Sequence, residues 1–156
     1  MEGRRLKIDR LSIDEAPIVF DYVTRLLAEL GEEREDLRVL ATDQVIGAWR
    51  DMEDRFHVFA ARSAANELYG ILTLVQSFAI YANGPYGIIN EMYVPPEHRS
   101  RGVGSWLLDA AKDFGRAKGW SRIDVTTPEA ERWARTRRFY EKEGFVFTGP
   151  KLKFLL

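Results

Sequence analysis

The hydrophobic and polar residues of this chain alternate with two periods, and each period predicts one kind of element. Period two predicts a half-buried strand over residues 5–10, in which Leu6 and Ile8 share one face. Helical spacing predicts a helix that follows a capping box at residues 12–15 and ends at Gly31. Its apolar stripe consists of Ile18, Tyr22, Leu26, Leu27 and Leu30. The chain therefore begins with a strand and an amphipathic helix.

A second helix and a β-hairpin are predicted next. Helical spacing covers roughly residues 42–51. The apolar runs 55–61 and 68–75 predict two paired strands, and Gly70 indicates a bulge or the close approach of another element. Residues 77–87 carry turn residues and predict a loop. The inward side chains of the second helix are predicted to be Val45, Ile46 and Trp49.

The most informative segment is 88–119, which predicts a strand, a glycine-rich turn and an amphipathic helix. The strand, 88–94, is rich in β-branched and aromatic residues and is closed by two prolines, which cannot continue a ladder. The helix begins near Gly102 and ends at Gly119. Its apolar face consists of Val103, Trp106, Leu107, Ala110, Ala111, Phe114 and Ala117.

The rest of the chain predicts a strand over 121–127, a helix over 129–143 and a final hairpin of 145–147 with 151–156. The complete order is β, α, α, β, β, β, α, β, α, β, β. Strands interspersed with amphipathic helices predict the α/β class, with a mixed sheet and helices on both faces. The length of 156 residues fits a single domain over 1–156.

Composition narrows the classes of function. A net charge of −1 argues against a nucleic-acid binder, which usually needs an excess of basic residues. The absence of cysteine excludes thiolate metal sites and a cysteine nucleophile, and only His57 and His98 are present, too far apart in sequence to indicate a metal site. No apolar run approaches the roughly 18 residues of a membrane helix, and the N-terminus lacks the apolar core of a signal peptide. We therefore expect a cytoplasmic protein without a metal.

The turn between the strand and the helix, residues 99–104, has the chemistry of an anion site. Gly102 and Gly104 let the backbone approach a ligand closely, and the first N–H groups of the helix lack intrahelical partners. Together with the positive end of the helix dipole they favour a phosphate or diphosphate, and Arg99 and Arg101 add two cations. The alternative is a loop that needs glycine to enter a helix, with arginines in water. A Rossmann fingerprint is excluded because its third glycine position is Leu107.

Two motifs and the order of elements resemble one family. The pattern Arg-x-x-Gly-x-Gly at 99–104, after a strand ending in Val-Pro-Pro, resembles the acetyl-coenzyme A (acetyl-CoA) site of the GNAT N-acetyltransferase superfamily. The segment 138–145, RFYEKEGF, resembles a second signature of that superfamily. The resemblance covers nearly the whole chain and lies nearest the small-molecule branch, which includes diamine and amino-acid acetyltransferases. It implies the GNAT fold, in which a mostly antiparallel central sheet splays at the coenzyme site, and a homodimer.

The resemblance also implies which residues bind acetyl-CoA. The backbone of Met92, Tyr93 and Val94 would pair with the pantetheine arm like an added strand, and one of their N–H groups would contact the acetyl oxygen. Trp133 stands where the family usually has asparagine, and is expected either to pack on the coenzyme or to fill core. The full set implied is Met92, Tyr93, Val94, Arg99, Ser100, Arg101, Gly102, Val103, Gly104, Ser105 and Trp133.

Two residues are predicted to take part in catalysis. In the family the tyrosine of the second motif, here Tyr140, lies near the thioester sulfur, where it can protonate the departing thiolate. Glu91 is the candidate base, because burial in an apolar strand raises the pKa of a carboxyl group towards neutrality. The alternatives for Glu91 are a salt-bridged strand residue or a group that binds a cationic substrate, with a water chain taking the proton. Asp124 is a lesser candidate for the base.

The acceptor is predicted to be a primary amine of a small molecule, which attacks acetyl-CoA directly in a ternary complex. The acidic run 32–36 can attract a polyamine or simply be a solvated loop, and Phe78, Tyr81 and Tyr86 suggest an aromatic wall near the acceptor. The residues do not separate a diamine from an amino acid, an aminoglycoside or a protein N-terminus. The alternatives in function are a non-catalytic acyl-CoA-binding module, an acetyltransferase for protein or peptide amines, and a nucleotide-phosphate binder of another class.

Overall fold

Five strands lie side by side in sequence order in one sheet. The strands are β1 (Lys7–Leu11), β2 (Phe56–Arg62), β3 (Leu68–Ala79), β4 (Gly84–Tyr93) and β5 (Ile123–Val125). The helices are α1 (Ala16–Leu30), α2 (Thr42–Asp51), α3 (Val103–Ala117) and α4 (Ala134–Lys142). The β1–β2, β2–β3 and β3–β4 pairs are antiparallel, so the predicted α/β class with a mostly antiparallel sheet is confirmed.

The structure is a computed structural model that describes residues 6–31, 41–127 and 131–156. The chain forms two compact units, Met1–Asp124 and Val125–Leu156. The first unit contains α1, α2, α3 and nearly all of the sheet, and the second contains α4. The single domain over 1–156 stays a prediction. The acidic run 32–36 and the first residues of the predicted helix 129–143 lie outside the described residues.

Alternate residues of the central strands face two different helical layers. In β2, Val58 and Ala60 belong to the core beneath α1 and α2, whereas the rings of His57 and Phe59 pack against Phe114 of α3. Helices therefore cover both faces of the sheet, as predicted. The core on the α1 and α2 side consists of Leu11, Ala16, Val19, Tyr22, Trp49, Val58, Ala60, Ile71 and Tyr93.

The start of α3 sits directly on β3, because residue 70 has no side chain. A Cβ atom at Gly70 would lie 3.1 Å from Val103 Cγ1 and 3.2 Å from both Leu107 Cδ1 and the Tyr93 carbonyl oxygen. Leu107 is fully buried at this contact. The close approach predicted at Gly70 is confirmed, and it fixes how deeply the N-terminal end of α3 sits on the sheet.

The predicted start of the first helix was wrong in two respects. Ser12 makes no side-chain capping hydrogen bond; instead residues Ile13–Glu15 form a 3₁₀ turn, in which the Glu15 N–H donates to the Ser12 carbonyl at 3.0 Å. Ile18 of the predicted stripe is exposed, and Val19 is buried in its place. The 3₁₀ turn winds more tightly than an α-helix, so it alters the rotational phase with which α1 meets the core. Val45 of α2 is likewise exposed, although Trp49 is buried as predicted.

The loop predicted over residues 77–87 was also wrong. β3 continues to Ala79 and β4 already begins at Gly84, so the connection is only the 3₁₀ turn Ile80–Ala82 followed by Asn83. Asn83 has the left-handed φ of 60° that asparagine tolerates. The turn residues therefore mark the tip of a long hairpin, and the flanking residues pair with one another.

Residues 145–156 contain no strand, so the predicted final hairpin was wrong. Leu152 and Phe154 are about nine-tenths exposed (91% and 87%), and the segment pairs with no described strand. The homodimer, for which the edge of this hairpin was one argument, stays a prediction. Among the helices of the described ranges, none combines the length and apolar character that crossing a bilayer requires.

His57 gives the fold a predictable dependence on pH. Burial, and then the neighbouring cations Arg10 and Lys118, lower the pKa of His57 from 6.5 to about 4, against a smaller opposing effect of Asp54. The unfolded chain therefore binds a proton that the folded chain does not, and stability falls as the pH drops from 6.5 towards 4. Between pH 7 and pH 4.5 we expect the free energy of unfolding of the native protein to fall by about 2–3 kcal/mol more than that of His57→Gln.

Chemical denaturation of both proteins at each pH measures this difference. The amide oxygen introduced by His57→Gln keeps an acceptor for Arg10, whose guanidinium donates to Nδ1 of His57 in the native protein. Because both proteins carry the same carboxyl groups, their titration cancels in the comparison. If the free energies of unfolding of the two proteins change equally with pH, His57 is not held in its neutral form by the fold.

Candidate active site

An extra residue in β4 determines which way its last side chains point. Thr73 of β3 lies opposite Glu91, but the next residue, Leu74, lies opposite Ile89, so Asn90 is unmatched. Before this bulge, Gly87 and Ile89 face the α3 side, where the Trp120 ring occupies the space above Gly87. After it, the odd-numbered residues face the opposite layer. The bulge therefore brings Glu91 to the face covered by α1 and α2.

The carboxyl group of Glu91 is held by Thr73, its neighbour on β3. The Thr73 hydroxyl donates to Oε2 of Glu91 and accepts the backbone N–H of Glu91 at 3.0 Å. Thr73 is almost completely buried, at 1% exposure, so its rotamer is fixed by packing. Thr73 thus holds Oε2 of Glu91 in place and does not contact Oε1.

The electrostatics of Glu91 match those of a base. Burial raises the pKa of Glu91 above its usual value, and the hydrogen bond from Thr73 opposes part of that rise. A carboxyl group with a raised pKa is a stronger base than an exposed one. The catalytic role of Glu91 stays a prediction, now with a defined geometry.

The residues that follow Glu91 form the end of β4. Met92 lies opposite Leu72, and Tyr93 lies opposite Ile71, where its ring meets Tyr22 of α1 edge-on at 5.8 Å. Val94 lies beyond the last paired residue, before two prolines that have no N–H to donate. The strand therefore ends at this point, and the pantetheine-pairing role of Met92–Val94 stays a prediction.

The turn into α3 has the backbone of an anion site. Ser100 and Gly102 both adopt left-handed φ values, 61° and 82°, and Val103 then begins the helix. A left-handed residue followed by a helical one directs successive N–H groups into a concavity that suits an anion. A Cβ at Gly102 would meet nothing closer than Trp106 at 3.9 Å, so the space above it is open. The predicted contacts of this turn with the coenzyme stay predictions, and the backbone is compatible with them. They involve Ser100, Arg101, Gly102, Val103, Gly104 and Ser105.

The side chain of Arg99 contacts α1 and the end of β4. Its Nη2 donates to both carboxylate oxygens of Glu29, at 2.6 and 2.7 Å, and its Nε donates to the Val94 carbonyl at 2.8 Å. The contact of Arg99 with the coenzyme stays a prediction. Arg101 is exposed and is the better candidate for the cation beside a diphosphate.

Tyr140 and Trp133 belong to the second unit. Tyr140 is buried in α4, and its ring meets Phe139 and Phe145 edge-on at 5.3 and 5.5 Å. Burial raises the pKa of the Tyr140 hydroxyl well above its usual value, which keeps it protonated but makes it a weaker acid than an exposed tyrosine. Trp133 ends a 3₁₀ turn just before α4. The roles predicted for both residues stay predictions.

Two further predictions concern the aromatic wall and Asp124. Of the aromatic wall predicted from Phe78, Tyr81 and Tyr86, the two tyrosine rings lie 6.2 Å apart near the tip of the β3–β4 hairpin, and Phe78 is exposed on β3. Their role near the acceptor stays a prediction. Five positions along β4 separate Tyr86 from Glu91, roughly 15 Å of strand, so the wall lies away from the candidate base. Asp124 accepts a hydrogen bond from Arg122 Nε at 2.7 Å, so this carboxylate already has a cationic partner.

Sequence reasoning missed Thr73 and Glu29. A polar residue within the apolar run of β3 was a signal for Thr73, because a buried hydroxyl needs a hydrogen-bond partner. Nothing near Glu29 indicated its role, since its partners Tyr93 and Arg99 follow 64 and 70 positions later.

The chain belongs to the GNAT acetyltransferases. The family described as Acetyltransferase (GNAT) domain matches residues 54–147, more than half of the chain. The matched segment includes β4, the glycine-rich turn, α3 and the Tyr140 motif. The chain is therefore an acetyl-transferring enzyme of GNAT type, and enzymes of this family generally use acetyl-CoA.

Named relatives agree with this class. The uncharacterized N-acetyltransferase YhfO of Bacillus subtilis is 29% identical over 60% of this chain and 62% of its own, so the chain spans less than two thirds of that protein. An IAA acetyltransferase of Azospirillum brasilense is 28% identical over 83% of this chain and 80% of its own. An aminoglycoside acetyltransferase from an uncultured soil metagenomic sample, solved with sisomicin, shares the fold with a TM-score of 0.75. It is 20% identical, and the match covers 97% of this chain and 96% of that chain.

Replacing Thr73 with Val tests whether its hydroxyl tunes Glu91. The variant loses the hydrogen bond that favours the charged carboxylate, so the pKa of Glu91 should rise further. We therefore expect the acidic limb of kcat/KM for the amine to move measurably to higher pH.

The pH profile is measured with the same amine for native protein, Thr73→Val and the control Thr73→Ser. Thr73→Ser keeps the hydroxyl and should leave the limb near its native position. Using one amine keeps the ionisation of the acceptor constant across the series. A folded Thr73→Val protein with an unmoved limb would show that Thr73 does not act through Glu91.

Proposed function

We propose that this enzyme transfers an acetyl group from acetyl-CoA to the primary amine of a small molecule, by direct attack in a ternary complex. The observation that carries the proposal is the Glu91 carboxyl group, held by Thr73 two positions before the end of β4. The same strand leads through two prolines into the anion-binding turn of α3. A base and a diphosphate cradle on consecutive segments are what transfer from a coenzyme thioester needs.

The turn at 99–104 supports binding of the coenzyme diphosphate. Its backbone concavity at Gly102 is open, the N-terminal end of α3 carries a partial positive charge, and Arg101 adds an exposed cation. The end of β4 at Met92–Val94 offers backbone groups to the pantetheine arm. Acetyl-CoA is thus expected to lie along the end of β4, with its diphosphate at α3.

Glu91 acts on the attacking amine in this proposal. The amine nitrogen forms a bond to the acetyl carbonyl carbon as its proton passes to the Glu91 carboxylate, directly or through a water molecule. A backbone N–H of Met92–Val94 donates to the oxyanion that develops. The carbon–sulfur bond then breaks, which gives the N-acetylated product and the coenzyme thiolate.

Tyr140 is proposed to protonate that thiolate. Support comes from its place in the RFYEKEGF segment, which lies within the matched family region. Burial raises the pKa of the hydroxyl and by itself makes Tyr140 a weaker acid, so the transfer requires the developing thiolate to accept the proton through a direct hydrogen bond. After transfer the tyrosinate must regain a proton before the next turnover.

The proposed acceptor class rests on the relatives. One is an IAA acetyltransferase, and another is an aminoglycoside acetyltransferase solved with sisomicin, so the second is the relative that favours an amine acceptor. The aminoglycoside presents primary amines, which is the group that Glu91 would deprotonate. We therefore propose a small primary amine as acceptor and acetyl-CoA as donor.

Two glycines that flank α3 test the diphosphate site. Gly102 and Gly119 both have left-handed φ values, 82° and 76°, and neither would place a Cβ in a tight contact. An alanine at either position costs about 1 kcal/mol of backbone strain. Gly102→Ala should also weaken the binding of acetyl-CoA about tenfold, because relief of the strain misdirects the N–H groups of the first turn.

Isothermal titration with acetyl-CoA and thermal unfolding measure the two effects separately. Gly119→Ala should share the loss of stability and bind the coenzyme normally. If both variants bind like the native protein, the diphosphate does not rest on the Gly102 turn.

Release of free thiol tests the function itself. Acetyl-CoA is mixed with the enzyme and a panel of diamines, amino acids and aminoglycosides, and thiol release is expected with at least one amine. Glu91→Gln and Tyr140→Phe should each lower kcat by about 100-fold or more. Asp113→Asn, which removes an exposed ion pair on α3, is the control and should keep native turnover.

Two outcomes of this experiment would contradict the proposal. Tight binding of acetyl-CoA without thiol release for any amine would indicate a non-catalytic acyl-CoA-binding module. Native turnover in both Glu91→Gln and Tyr140→Phe would remove these residues from the mechanism.

A further inference from the structure

Two side chains from distant parts of the chain meet at the carboxylate of Glu29, near the end of α1. The Tyr93 hydroxyl, at the end of β4, donates to Oε1 at 3.1 Å. Nη2 of Arg99, in the turn before α3, donates to Oε1 at 2.6 Å and to Oε2 at 2.7 Å. One side chain of α1 therefore contacts both segments that the proposed function assigns to acetyl-CoA.

Arg99 extends this contact to the backbone. Its Nε donates to the Val94 carbonyl at 2.8 Å, and its guanidinium lies 5.7 Å from the centre of the Tyr93 ring. The carbonyl belongs to the residue just beyond the last pair of β4. The Glu29–Tyr93–Arg99 cluster, as we call these three residues, thus ties the end of the strand to the turn.

The cluster is poorly placed to contribute much to global stability. The side chains of Arg99 and Glu29 are 43% and 32% exposed, and ion pairs with this exposure add little to the free energy of folding. Its geometry is nevertheless specific, because Arg99 uses Nη2 and Nε for different acceptors, and a lysine could not reproduce this. A weak but well-oriented contact is suited to fixing the position of a loop.

We propose that Glu29 is a positioning residue for coenzyme binding, which acts through Arg99 and Tyr93 on the end of β4 and the phosphate-binding turn. This inference rests on the proposed function of that turn. It assigns the Arg99 side chain to holding the turn, whereas the sequence alone assigned it to the phosphates. Glu29 itself does not touch the coenzyme in this proposal.

The test is the affinity for acetyl-CoA together with its KM and kcat. Glu29→Gln should raise the Kd and the KM for acetyl-CoA about tenfold and change kcat less than about twofold. Asp21→Asn is the matched control, since it removes another exposed ion pair of α1, with Arg25 at 3.0 Å. Both variants should unfold at nearly the native temperature, and only Glu29→Gln should affect the coenzyme.

Two further variants separate positioning from simple charge. Arg99→Lys keeps the cation but loses the two-acceptor geometry, so it should raise Kd as much as Glu29→Gln does. In the double variant Glu29→Gln/Arg99→Lys the two effects should not add, because both remove the same contact. A native Kd in Arg99→Lys, or fully additive effects, would overturn the proposal.

The outcomes also distinguish this inference from the proposed function. If native protein binds acetyl-CoA and Glu29→Gln binds it equally well, the positioning role falls and the proposed function stands. If native protein does not bind acetyl-CoA, both fall together.

Discussion

The pairing of β3 with β4 is the constraint on which the candidate site depends. In an antiparallel pair, directly opposed residues share a face, so the face of each side chain is set by its register. One unmatched residue, Asn90, changes that register between Ile89 and Glu91. Without it Glu91 would face α3, in a layer that contains Leu107 and Trp120 and where its neighbour would not be the Thr73 hydroxyl. The proposed chemistry therefore begins with a local irregularity in an otherwise regular sheet.

The site combines a rigid part with an adjustable part. Glu91 rests on Thr73, in a central strand that is paired on both sides and buried on both faces. The turn that precedes α3 is instead held by exposed polar contacts of Arg99 with Glu29 and Val94. Such a division suits the proposed function, because the proposed base keeps its position while the segment proposed to receive a large coenzyme can adjust when it enters.

Much of the fold could be predicted because local patterns mark both the amphipathic helices and the continuous apolar runs of the central strands. The α2 bounds, the hairpin of β2 with β3 and the glycine-rich entry to α3 all follow from periodicity and turn residues. The loop over 77–87 and the final hairpin failed for opposite reasons. Turn residues at Asn83 and Gly84 concealed a continuing ladder, whereas alternation in 151–156 indicated a strand that has no partner in the described part of the chain.

The candidate site was predictable only in part, for a related reason. Glu91 and the turn at Gly102 are visible locally, as a charge in an apolar strand and as glycines before a helix. The Thr73 and Glu29 contacts arise from tertiary pairing, over 18 and 70 positions of sequence, which no local pattern encodes. The contact of Glu29 with Arg99 gives that arginine a carboxylate partner that its place beside the glycines did not indicate.

The missing side chain at Gly70 limits which residues evolution can place at this position. Besides the 3.1 Å approach to Val103, a Cβ at that position would lie 3.2 Å from the Tyr93 carbonyl oxygen, which is backbone and cannot be trimmed by substitution. Any larger residue at 70 therefore pushes α3 away from the sheet, together with the end proposed to bind the diphosphate. Position 70 should thus remain glycine among homologues that keep the same coenzyme.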